Sequence, residues 1–121
     1  MHYASKAYAQ TAEETASPRQ LEANLLLKAA AKLQAVHESW HEEPIGLNEA
    51  LIYNRRLWTV FIDSVIDDDN ALPLPVRQNI ASLGIFVMGE TFSLMTRPKP
   101  DHLLSLININ RGIAAGLRGK A

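Results

Sequence analysis

Tyr53-Asn54-Arg55-Arg56-Leu57-Trp58-Thr59-Val60-Phe61 is the stretch on which the reading of the fold turns. It lies mid-chain and carries one of only two tryptophans. On a helix at about 100° per residue, Leu47, Leu51, Asn54, Trp58, Phe61, Ile62 and Val65 fall within one narrow arc. Ala50, Tyr53, Leu57 and Val60 widen that arc to nearly half the circumference. A surface helix needs an apolar stripe of only about 100°. The wider arc predicts a helix touched by neighbours on more than one side, with the other helices packed around it.

Prolines cut the rest of the chain into helical segments. Pro18, Pro44, Pro73, Pro75, Pro98 and Pro100 all stand where a helix begins or is interrupted. Proline lacks an N–H and fits the first helical turn. Ahead of the central helix, Ser17-Pro18-Arg19-Gln20 has the spacing of a capping box. It predicts a helix to about Trp40, with Leu25, Leu26, Ala29, Ala30, Leu33, Val36 and Trp40 facing inward. The central helix should span about Leu47 to Ile66 and fray before Asp67-Asp68-Asp69, because carboxylates are unfavourable at a helix C-terminus. A further helix is expected from Pro73 to about Met95. Its main stripe is Val76, Ile80, Leu83, Val87 and Leu94, and a second apolar arc comprises Ala81, Ile85, Met88, Phe92 and Met95. The last helix should run from Asp101 to Leu117, with Leu103, Leu106, Ile107, Ile109, Ile113, Ala114 and Leu117 inward. Residues 3–15 read as a short, alanine-rich helical arm with Tyr3, Ala7, Tyr8, Ala12 and Thr15 loosely on one side. The expected fold is all-α: a single domain over 1–121, with an antiparallel four-helix bundle at 17–121 and an extra short N-terminal helix within 1–16.

Composition excludes several classes. The formal net charge is −1, from 12 basic and 13 acidic residues, which gives no general pull towards nucleic acid or membrane. The absence of cysteine excludes a disulfide framework and a thiol nucleophile. The N-terminal residues lack an apolar signal core, and the longest apolar run, Ile80 to Met88, is broken by Ser82 and Gly84. A soluble, cytoplasmic protein is expected.

Few constellations carry chemistry. His37-Glu38-Ser39-Trp40-His41 matches the H-E-x-x-H pattern, in which two histidines one helical turn apart hold Zn²⁺ and the glutamate is general base. Pro44 follows almost at once, and His102, Glu49 and Glu90 are the third-ligand candidates. Surface histidines are the simpler reading. Asp67-Asp68-Asp69-Asn70 is followed by Ala71 and Leu72, so it is no calcium loop. Asn54 and Asn110 each lie near the centre of an apolar stripe. A buried amide left unpaired costs about 1–3 kcal/mol, so both need partners. They either fix register inside the bundle or line a peptide groove. Trp58 reads as core in preference to a binding hot spot. Met88, Phe92 and Met95 read as core, or as an adaptable surface for apolar partners. Arg111, Arg118 and Lys120 lack interleaved aromatics and make a poor nucleic-acid signal.

Five stretches, in order, resemble the FlaF family of alphaproteobacterial flagellar biosynthesis regulators. They are Ala7-Tyr8 with Thr11; Ser17-Pro18-Arg19-Gln20-Leu21-Glu22; Tyr53 to Thr59; Leu72-Pro73-Leu74-Pro75-Val76-Arg77-Gln78-Asn79-Ile80-Ala81; and Ser105 to Leu117. Residues 37–46 have no counterpart in the resemblance. It implies a non-enzymatic role as a cytoplasmic chaperone that binds flagellin and promotes its production and export, opposite the FlbT family. The alternative it leaves open is post-transcriptional regulation of flagellin messenger RNA, alone or with FlbT. The resemblance brings no list of binding residues. From the helical pattern, a terminal flagellin helix is expected to meet Asn54, Arg55, Ile85, Met88, Phe92, Met95 and Asn110. No catalytic residue, metal or cofactor is expected.

Overall fold

A computed structural model describes residues 17–41 and 43–119. Four helices are packed together: α1 Pro18–Glu38, α2 Leu47–Ile66, α3 Leu74–Thr96 and α4 Pro100–Leu117. The expected N-terminal helix lies outside the described residues.

Each helix runs antiparallel to the next. Val36 of α1 lies beside Gly46 at the start of α2, and Ile62 of α2 lies beside Gly84 of α3. Glu90 of α3 reaches His102 of α4. Asn24 near the start of α1 bonds to Arg118 just past α4, which closes the ring. The packing is most extensive between α1 and α4, and next between α2 and α3. The alanines Ala23, Ala29 and Ala30 on α1 explain the first pairing, since they are buried and let a neighbour approach closely. As its broad apolar arc requires, α2 contacts both α1 and α3.

Helix ends follow local chemistry. The Ser17 hydroxyl accepts from Gln20 N–H at 3.2 Å, and Ser17 N–H donates to Gln20 Oε1 at 3.0 Å, so the capping box is formed. Ser17→Ala should destabilise the protein by about 0.5–2 kcal/mol, read as a lower urea midpoint at unchanged slope. The first helix stops at Glu38, short of the Trp40 expected. The Ser39 hydroxyl donates back to Ala35 O at 2.9 Å and Val36 O at 3.3 Å, closing the last turn. At the end of α2 the three aspartates are all exposed. The carbonyl end of α2 is covered by Asn70, which donates to Ser64 O at 3.0 Å. Arg77 Nη1 lies 3.1 Å from Asp67 O and 3.4 Å from Val65 O. A cation there favours the negative end of the helix dipole, so Arg77 offsets the aspartates.

The core is one cluster in which Leu26, Leu33, Leu51, Trp58, Ile80, Leu94, Leu103, Leu106 and Ile107 are among the largest fully buried side chains. Gly84 permits the closest approach of α3 to α2. A Cβ at that position would stand 2.5 Å from Ile62 Cδ1 and 3.5 Å from Trp58 Cε3. Several expected inward residues are not fully covered. Leu25, Trp40, Leu83, Ile109, Ile113 and Leu117 are half-buried, and Val76 is exposed. Trp40 lies beyond the end of α1, and the others lie at the edges of their stripes, where the two main neighbours of each helix do not enclose it.

Candidate functional site

The residues expected at the site fall in two separate regions of the structure. Asn54 and Asn110 are wholly inside the bundle. Their orientation follows from Trp58. An indole N–H can only donate, so Asn110 must turn its Oδ1 to Trp58 Nε1, at 2.9 Å. Asn110 Nδ2 then donates to Asn54 Oδ1 at 2.7 Å and to Leu26 O at 3.3 Å. One amide therefore ties α4 to α1 and α2 together. Asn54 Nδ2 remains buried with no partner among the described residues. Phe61 meets Trp58 edge-on, with ring centroids 5.7 Å apart. This is an internal cross-link, and it presents no amide to a ligand.

The other five residues lie on or beside one flank of the α2–α3 pair. Ile85 and Phe92 of α3 are 75% and 68% exposed, Met95 is exposed and Met88 is half-buried. With Ala81 they occupy less than a third of the circumference of α3, next to its contact with α2. Arg55 and Thr59 are exposed on the neighbouring side of α2. At the lower end Met95 joins Leu47, Asn48 and Pro98 around a shallow cleft. At the upper end Ile66 is 61% exposed. The result is an apolar strip with a polar edge, running the length of α3. The helix is apolar nearly all round, and only part of it is covered.

The His37-Glu38-Ser39-Trp40-His41 motif does not form a helical metal site. Because α1 ends at Glu38, His41 is not one helical turn from His37 on a shared face. Among the described residues no group of three His, Cys, Asp or Glu is arranged to hold a metal ion. His102, a third-ligand candidate, is paired through Nδ1 with Glu90 at 2.8 Å, linking α3 to α4.

Among the described residues, Glu22 alone shows a clear electrostatic perturbation. Burial pushes its carboxyl above the usual range, against the pull of Arg19 at 2.6 Å. The native state therefore binds this proton more tightly than the unfolded chain. That contribution to stability is present at low pH and declines as pH rises through the folded value.

Two features escaped the sequence reading. Gly84 marks the close approach of α2 and α3, and its only signal was a glycine inside an apolar run. The second is a groove between α1 and α2, lined by Leu25, Ile52, Tyr53, Leu57 and Val60. Val60 falls within the wide apolar arc of α2, yet it is 68% exposed.

Among the described residues, no helix is long and apolar enough to cross a membrane. Comparison with curated proteins and with solved structures finds no match. The family model described as "Flagellar protein FlaF" matches residues 4–117, nearly the whole chain and all four helices. The chain belongs to the FlaF family of flagellar proteins.

Proposed function

We propose that this protein is a cytoplasmic, non-enzymatic chaperone that binds a terminal helical segment of flagellin and promotes its production and export. The supporting observation is the exposed strip of Ile85, Met88, Phe92 and Met95 on α3, edged by Arg55 and Thr59 of α2. An amphipathic helix recognises such a strip by laying its apolar face along it, with anchors at helical spacing. Two methionines and a phenylalanine suit a partner of imperfect shape, since thioethers repack easily. Arg55 would orient the segment from the polar edge. Asn54 and Asn110, expected at the site, would serve it indirectly by fixing the register of α2 and α4. FlbT is proposed as a second protein partner in the same regulation.

The test is a charge placed in the strip. Ile85→Asp with Phe92→Asp should leave the melting temperature within a few degrees of wild type, since both side chains are exposed. It should abolish co-purification of flagellin, because it buries two unpaired carboxylates in the complex. Undiminished flagellin capture by the folded double variant would rule this strip out. Capture of flagellin messenger RNA in place of flagellin would favour the regulatory alternative.

A further inference from the structure

We propose that residues 1–16 of this chain dock along the groove between α1 and α2, as a built-in cover for its apolar floor. The groove has a volume of about 710 Å³ and lies on the opposite side of α2 from the α3 strip. Its floor is Leu25 of α1 with Ile52, Tyr53, Leu57 and Val60 of α2, and Glu49 and Arg56 complete its lining.

The occupant is chosen by where the chain enters. Ser17 caps α1 one turn ahead of the exposed Leu21 and two turns ahead of Leu25. The preceding residues therefore start beside one mouth of this groove. Because α2 is antiparallel to α1, Val60 stands near that mouth. Tyr53 marks the far end, where Lys32 Nζ sits 5.0 Å above its ring. From Val60 to Ile52 the floor is about 12 Å long at 1.5 Å per residue. Sixteen residues in helical form reach about 24 Å, enough to turn at Ser17 and cover it.

The sequence of the segment suits the place. Its alanines permit close approach, and Tyr3 with Ala7, and Tyr8 with Ala12, stand at helical i,i+4 spacing. A tyrosine presents an apolar ring to the floor and a hydroxyl to the wet edge, where Arg56 stands. Docked this way, Glu13 and Glu14 lie close to the N-terminus of α1. The first turn of α1 holds no acidic residue of its own, and a helix N-terminus favours negative charge.

The absence of cysteine makes the test clean. In the full chain, Ala7→Cys and Ala12→Cys are each combined with Val60→Cys and oxidised at low protein concentration. The control combines the same N-terminal cysteines with Phe92→Cys on the α3 strip. Val60 and Phe92 are equally exposed, so neither change disturbs the fold. At least one pair with Val60→Cys should close into a monomeric disulfide about tenfold or more faster than its control, because docking raises the local thiol concentration. Equal rates for Val60→Cys and Phe92→Cys would overturn the proposal. Disulfide-linked dimers as the main product would overturn it too, by placing the segment on a second copy.

Discussion

Trp58→Ala should lower the stability of this protein by about 3–5 kcal/mol, the usual cost of emptying a large buried aromatic site. Against a total of about 5–15 kcal/mol, that is enough to leave much of the protein unfolded at physiological temperature. Two losses combine. The wholly buried indole fills the space between α2, α3 and α4, in contact distance of Gly84 and edge-on to Phe61. Its Nε1 proton also satisfies Asn110 Oδ1. Trp58→Phe separates the two. It keeps most of the volume and strands the acceptor, so it should cost about 1–3 kcal/mol. Thermal and urea melts of the two variants check both values. A Trp58→Ala protein that melts like wild type but loses its partner would make Trp58 a binding residue.

Asn110→Leu should be the next most damaging change, and far worse than Asn54→Leu. Removing the Asn110 amide strands Trp58 Nε1 and Asn54 Oδ1 together, both inside the bundle. At about 1–3 kcal/mol for each stranded group, the loss is about 2–6 kcal/mol. Asn54→Leu is different. Asn110 Nδ2 keeps Leu26 O as acceptor, and the unpartnered Asn54 Nδ2 disappears with the substitution. That variant should stay within about 1 kcal/mol of wild type, because removal of an unpaired buried donor offsets the lost bond. The double variant should be less destabilised than Asn110→Leu alone plus Asn54→Leu alone, since the shared bond is counted once. Urea titration of the three proteins gives the cycle. Equal losses for the two single variants would contradict this division of partners between the two amides.

Local chemistry carried the parts of this fold that were legible in the sequence. The Ser17 to Gln20 capping box is visible because each of its bonds spans only three residues. The central helix was legible because its apolar arc is too wide for one neighbour. Its C-terminus was placed correctly by the aspartates, but the compensating Arg77 was not visible, since it arrives from the next helix. The burial of Asn54 and Asn110 could be read from their positions on apolar stripes. Their pairing could not, because it joins residues 56 apart and depends on how the bundle closes. The second arc of α3 shows the limit most clearly. Ile80 and Ile85 look alike in a hydropathy pattern, yet one is 2% exposed and the other 75%. Only the number and placement of neighbouring helices decides which arc is covered. The apolar period alone runs on to Trp40, although the Ser39 hydroxyl ends α1 within its own last turn.

The proposed function predicts a largely apolar complex. With a net charge of −1 and an apolar strip as the contact, affinity for flagellin should change little with screening. An RNA contact through phosphates would lose orders of magnitude in affinity between about 50 and 200 mM salt. The most direct measurement is a calorimetric titration of the protein with flagellin terminal-helix peptides and with the flagellin leader RNA, at both salt concentrations. The account predicts peptide binding that is nearly constant across the two, carries a negative heat-capacity change and is lost in the Ile85→Asp, Phe92→Asp protein. RNA binding with a steep salt slope, and no peptide binding, would contradict it.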